Sequence, residues 1–186
     1  SVIGARTNKY GDYLDVACAL VGKAPFAGLH TDEGRRAGLH FRTSGIPDSL
    51  KAEDIFYHLL GHHVGRISGR RIPVVSGLPA GTSEDRQKAI SAAVAASGGV
   101  EPWHGAGLTP EAPALEAVFA SGETHDVTLG DLAAARDVLN SGRDGPIEMV
   151  ALGTPHFSIT EFAALMPLIA GRRVKDGVTF YISTSR

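Results

Sequence analysis

The chain has 186 residues, 43% of them apolar, and a mean hydropathy near zero, the composition of an ordinary globular protein rather than a disordered one. Eighteen basic residues against twenty acidic ones leave a formal net charge of −2, and no Lys or Arg run forms a basic stripe, which argues against nucleic acid as a partner. No apolar segment approaches the roughly 18 to 20 residues of a membrane span, and the single cysteine, Cys18, excludes an internal disulfide, so a cytoplasmic setting is expected.

The first predicted element is a helix from about Tyr10 to Val21, in which Tyr13, Leu14, Ala17, Cys18 and Val21 recur at helical spacing and make one buried face. Gly22 and Pro25 end it. A polar loop through His30, Asp32, Glu33, Arg35 and Arg36 leads to a strand at Leu39 to Arg42, and a second helix runs from about Lys51 to Ile67, with Phe56, Leu59, Leu60, His63, Val64 and Ile67 on one stripe. Short β-rich runs then alternate with helices: a strand at Ile72 to Val75, a helix capped by Thr82 or Ser83 and continuing to Ser97, a strand at Val100 to His104, and a short helix opened by Thr109-Pro110-Glu111. A brief strand at Val127, a helix at Leu132 to Leu139, a strongly apolar strand at Ile147 to Leu152, a helix at Thr160 to Ala170 and a strand at Val178 to Ile182 complete the pattern. This alternation predicts an α/β fold in three layers, a mostly parallel sheet with helices on both faces. The Gly-rich, charged passage 141–146 is the one weak sub-boundary within 1–186. Both ends read as those of an internal segment of a longer polypeptide.

In open α/β sheets ligands bind beyond the carboxyl ends of strands, which directs attention to three post-strand loops. In Gly153-Thr154-Pro155-His156-Phe157-Ser158, backbone N–H groups at a helix start favour an anion and His156 can exchange protons near neutral pH; the alternative is a capped turn in which His156 only bonds locally. Gly77 to Ser83 has glycines before a helix, but Gly81 stands where a phosphate-binding loop requires Lys. His104 to Glu111 lacks the third glycine of a dinucleotide fingerprint and reads as a tight turn, with His104 a candidate site residue. His58 and His62 lie one helical turn apart without a third metal ligand, and His63 reads as an interior imidazole. At the start of the chain, Arg6-Thr7-Asn8-Lys9 either forks a carboxylate, with Thr7 and Asn8 holding its other lone pairs, or caps the first helix with solvated charges.

Four separated stretches resemble the large-subunit region of the aconitase X family: Ser1-Val2-Ile3-Gly4-Ala5-Arg6-Thr7-Asn8 with Tyr10-Gly11-Asp12, then Gly28-Leu29-His30, Gly107-Leu108-Thr109-Pro110-Glu111-Ala112, and Ala151 to Ser158. The resemblance implies an aconitase-like domain of a hydro-lyase that removes water from a small hydroxy acid, cis-3-hydroxy-L-proline or, in an archaeal branch, mevalonate 5-phosphate. It implies an iron-sulfur cluster acting as Lewis acid in the complete enzyme, with a small subunit or swivelling domain and the remaining segments as partners. Arg6, Thr7 and Asn8 would then line the substrate pocket, and Thr154, His156 and Ser158 would face the cluster or substrate; His30 and His104 are further candidates for binding substrate. Thr154 stands where the archaeal branch tends to carry Cys, which points to the hydroxyproline branch. Cys18 is the sole thiol available as a cluster ligand, so the chain alone is expected to hold no cluster and to be inactive. A non-catalytic small-acid-binding domain of the same fold is the competing expectation.

Overall fold

Parallel pairing governs every strand among the described residues, as the alternation of short β-rich runs with helices requires, since parallel neighbours need a long crossover between them. In a computed structural model of the chain, the residues described are 1–8, 11, 13–100, 102–142, 144–153 and 156–185. Their contacts form two compact units, Ser1–Asp137 and Val138–Arg186, which are described separately.

The first unit opens with α1 (Tyr13–Val21), followed by two 3-10 turns at Gly28–His30 and Glu33–Arg35. Then come β1 (Leu39–Arg42), α2 (Asp48–Lys51), α3 (Asp54–Ser68), β2 (Pro73–Ser76), α4 (Glu84–Gly98), β3 (His104–Gly105), α5 (Leu115–Val118), β4 (Glu123–Asp126) and α6 (Leu129–Leu139). The four strands form one parallel sheet in the order β3-β2-β1-β4.

Both faces of this sheet are covered, because side chains alternate along each strand. On one face Leu39, Phe41 and Val75 meet Phe56, Leu60 and Val64 of α3, Ile90 and Val94 of α4, and Leu132 and Ala135 of α6. On the other, Val74 packs with Ala37, Ala112 and Val118, flanked by Leu115 and Phe119 around α5. Register sets His40, Val74 and His104 side by side across β1, β2 and β3, so these three share the α5 face. The helices α3 and α4 touch nearly backbone to backbone. A Cβ at Gly61 would stand 2.7 Å from the carbonyl oxygen of Ile90, and Gly65, one turn on, faces Val94 and Ser97 just as tightly. Ser83 caps α4 by accepting the amide of Arg86, and Gly99 ends it in the left-handed region at φ +64°.

In the second unit, β5 (Met149–Leu152) and β6 (Thr179–Ile182) pair in parallel across α7 (Ile159–Ile169), a single βαβ motif. No described residue of this unit is buried.

Three local expectations are corrected. The apolar stripe of α1 is not buried: none of its residues is, with Tyr13 87% and Leu20 84% exposed, and Cys18 is only partly covered. Apolar residues occur around most of that helix, so spacing alone did not identify a packed face. Thr109-Pro110-Glu111 opens no helix; it lies in a turn closed by Gly107 N–H to Ala112 O and Ala112 N–H to Thr109 O, and α5 starts only after Ala114. The strand expected at Val127 ends at Asp126, and Val127 itself is a core residue. Tyr10, the expected first residue of α1, lies outside the described residues. No helix among the described residues is long and apolar enough to cross a membrane.

Candidate functional site

Between the segment before β1 and the turn after β3 lies a cavity of about 300 Å³ whose wall includes Arg6, Asp32, Arg35, Arg36, His104 and Glu111. Its position follows from local folding. Thr31 donates through Oγ1 to the carbonyl of Gly28 at 2.8 Å and accepts the amide of Gly34 at 3.1 Å, drawing the two 3-10 turns together. That folding lets Arg35 donate from Nη1 to the carbonyl of Leu29 at 3.2 Å. Gly28, at φ +56°, is tightly approached by Asn8, whose Nδ2 would lie 2.8 Å from any Cβ there. Opposite, the Thr109 hydroxyl and amide both engage Gly105 and hold the turn that carries Glu111.

Glu111 is the keystone of the charged network. Its Oε1 accepts from Arg6 Nε at 2.9 Å, and its Oε2 accepts from Arg35 Nε at 2.6 Å, with Arg35 Nη2 2.5 Å away. Arg6 reaches on to Asp32 through Nη2 at 2.5 Å and to the carbonyl of His30 through Nη1 at 3.4 Å. Arg35 Nη2 is buried, and although close to Glu111 it lacks hydrogen-bond geometry to any described acceptor. Burial pushes the Glu111 carboxyl upward, but hydrogen bonding and charge from Arg35, then Arg6, outweigh it, so the group is held below the usual carboxylate range. Three guanidiniums and two carboxylates stand on the cavity wall, and Arg36 is paired with Glu33 at 3.1 Å, so the charges balance and the arginines offer fork-shaped donors for a small acid.

His104 is fully buried, with Nε2 2.7 Å from the carbonyl oxygen of Arg35. Burial pushes its pKa down, and this outweighs the opposing bond to that carbonyl, so the ring is neutral near pH 7.

The expected site residues distribute as follows. Arg6 and His104 meet at this cavity, His30 reaches it only through its carbonyl accepting from Arg6, and Thr7 and Asn8 line an adjoining one of about 160 Å³ with Ala5, Leu29, Trp103 and Arg35. Arg35 walls both. His156 and Ser158 belong to the second unit, and Thr154 lies outside the described residues. His156 is exposed. At the start of α7, Ser158 Oγ accepts the amide of Glu161 and Glu161 Oε2 accepts the amide of Ser158 at 2.7 Å, a reciprocal capping box. Those two amides therefore already have acceptors within the chain, one of them anionic.

Arg35 and Glu111 were not singled out from sequence. The post-strand rule led to the turn holding Glu111, but two of its partners come from the segment preceding β1, which that rule does not inspect. The signal available was Arg35 lying in a loop rich in charge and flanked by glycines at 34 and 38.

An iron-sulfur cluster finds no fitting ligand set in these residues. Such clusters are held by several thiolates; the chain has one, Cys18 on α1, and among the described residues no group of three or more His, Cys, Asp or Glu side chains is placed to hold a metal ion.

Comparison with known proteins adds the following. Residues 39–137, more than half of the chain, match the family model described as Aconitase X second domain, and residues 1–33 match Aconitase X first domain. The chain is 42% identical to the cis-3-hydroxy-L-proline dehydratase of Pseudomonas aeruginosa, with all of this chain and 32% of the relative covered. It is 36% identical to the phosphomevalonate dehydratase large subunit of Methanothermobacter thermautotrophicus, covering all of this chain and 44% of the relative. The crystal structure of Thermococcus kodakaraensis aconitase X in its holo-form superposes with a TM-score of 0.84 at 33% identity, covering all of this chain and 46% of that one. The chain thus spans 32% to 46% of the length of these relatives.

Proposed function

The chain belongs to the aconitase X family, and on that premise we propose that it forms part of a hydro-lyase that removes water from a small hydroxy acid, with cis-3-hydroxy-L-proline as the substrate. The observation that carries this reading is the cavity at Glu111: two arginines drawn together by one carboxylate, beside a neutral buried histidine, with His104 and Glu111 inside the second-domain match and Arg6 inside the first-domain match. Arg6 and Arg35 bind the substrate carboxylate there, Glu111 keeps both guanidiniums oriented, and Thr7 and Asn8 border the approach. Elimination removes a proton from the carbon bearing the carboxylate and the hydroxyl from its neighbour, leaving a carbon-carbon double bond and one water. Thr154, His156 and Ser158 are retained as candidates for contact with the reacting atoms. The ligands of the cluster, and the small domain or subunit, are proposed to lie in polypeptide outside these 186 residues.

The higher identity to a hydroxyproline dehydratase favours that substrate. A phosphomevalonate-type activity is the second reading, favoured by the similarity to a phosphomevalonate dehydratase large subunit. Incubating the full-length protein with each compound decides: an unsaturated product from cis-3-hydroxy-L-proline alone supports the first reading, turnover of mevalonate 5-phosphate alone supports the second, and turnover of neither refutes both.

A further inference from the structure

His104 is part of the cavity wall but uses only one of its two ring nitrogens. Its Nε2 lies 2.7 Å from a backbone carbonyl oxygen, that of Arg35. A carbonyl has no proton to give, so Nε2 carries the hydrogen and donates it. In the neutral ring Nδ1 is then a bare lone pair, able to accept and unable to donate. That atom is buried and has no hydrogen-bond partner among the described residues. Buried polar atoms in folded proteins are nearly always paired, and one left alone marks a place where something else supplies the partner.

The surroundings define what that something is. The same wall carries Arg6, Arg35 and Arg36, which attract an anion, and Glu111, whose oxygens are occupied by Arg6 and Arg35. Arg6 and Arg36 donate to carboxylates, and Arg35 donates to Glu111 and the Leu29 carbonyl while its Nη2 has no hydrogen-bonded acceptor among the described residues; the backbone around His104 is held in its own turn. A ligand whose carboxylate lies against the guanidiniums can satisfy Nδ1 by presenting a donor toward His104.

We infer that His104 is a specificity-determining residue whose Nδ1 accepts a hydrogen bond from an N–H or O–H of the bound small acid, so that the cavity selects amino and hydroxy acids over acids that can only accept at that position. The inference rests on the small-acid reading of the cavity given above. It adds the polarity of the selection, which follows from the Arg35 carbonyl fixing the tautomer.

The test uses full-length protein and calorimetric binding of three probes: L-proline, which offers only N–H; cis-3-hydroxytetrahydrofuran-2-carboxylate, which offers only O–H; and tetrahydrofuran-2-carboxylate, which offers neither. Wild type is expected to bind at least one donor probe about tenfold or more tightly than the probe with neither, the value of one good hydrogen bond. Which probe it favours identifies the donor. His104→Gln retains the amide donor toward Arg35 and loses the acceptor, and should reduce the preference to within about twofold, with a thermal midpoint close to wild type. Equal weakening of all three probes, or an unchanged preference, overturns the inference. If His104→Gln fails to fold, His104→Asn, which keeps an acceptor at the Nδ1 position, should preserve the preference, and its loss there is equally fatal. Binding is read without turnover, so a protein that discriminates the probes but dehydrates nothing refutes the proposed activity only, while one that dehydrates cis-3-hydroxy-L-proline without discriminating refutes this inference only.

Discussion

Residues 1–137 and residues 138–186 are built from the same βαβ grammar, yet one region closes a core and the other does not. In the first, a four-stranded sheet is covered on both faces, and Leu39, Phe41, Phe56, Tyr57 and Leu60 are fully shielded. In the second, one strand pair and one helix leave Met149 62% and Leu168 65% exposed, and order comes from local devices: the Ser158–Glu161 capping box and the edge-to-face pair of Phe157 and Phe162 at 4.9 Å. A single parallel pair has too few neighbours to shield its apolar side chains, whereas four strands with flanking helices suffice. The difference teaches where precise chemistry is built. The buried ion network requires a rigid surround, and it is found in the region with the closed core.

The comparison breaks most severely if the core of the first region is opened. Phe41→Ala should cost roughly 3–5 kcal/mol by leaving a cavity at the centre of the sheet, read as a lowered urea midpoint for that region. A loss under about 1 kcal/mol would mean that the core there is not closed.

Glu111→Ala should come next. It leaves the Arg35 guanidinium, 4% exposed, without its carboxylate, a change worth roughly 2–3 kcal/mol once partial solvent access to the network is allowed for. Gly65→Ala should cost about 1–2 kcal/mol, because the new methyl meets Val94 and Ser97 and the strain outweighs the gain in helix propensity. An equilibrium unfolding series in which Gly65→Ala stabilises would show that α3 and α4 are not in close contact.

Acid titration sharpens the same contrast. Burial lowers the pKa of His40, His63 and His104 in the folded chain below the ordinary histidine value of 6.5. Unfolded chains therefore bind more protons there, and stability present above pH 6.5 falls as pH drops through the folded-state values. Glu111, held by Arg35 and Arg6 below the ordinary carboxylate value of 4.5, adds a second loss below that pH as it is protonated. Unfolding midpoints of the first region measured from pH 7.5 down to about 2.5 should decline in these two stages, and Glu111→Gln should remove the second. The smallest effect is expected in the other region: Ser158→Ala should cost about 1 kcal/mol, seen as faster amide exchange in the first turn of α7 with the first region unchanged.

Much of this contrast could be read from sequence, and the unread part has a physical cause. Strand β1 and the Phe56–Val64 stripe of α3 were legible because burial on one face imposes a period, and Ser83 was legible because a cap depends on residues only three apart. The exposure of α1 was not, because apolar spacing reports that a face can be buried and not whether a partner covers it. The charged network joins positions 6, 35 and 111, and no local pattern encodes contacts across such separations. Arg6 and His104 were accessible as candidates from residue type and motif; Arg35 and Glu111 required the fold. The close approach of α3 and α4 was written in Gly61 and Gly65, four residues apart, a small-residue spacing hidden within an apolar stripe.

The most direct measurement is a crystal of the full-length protein soaked with cis-3-hydroxy-L-proline. Density for its carboxylate against Arg6 and Arg35, with an N–H or O–H toward His104 Nδ1, is the predicted result. Ligand bound elsewhere, with the Glu111 cavity filled by water alone, would contradict the assignment of the site.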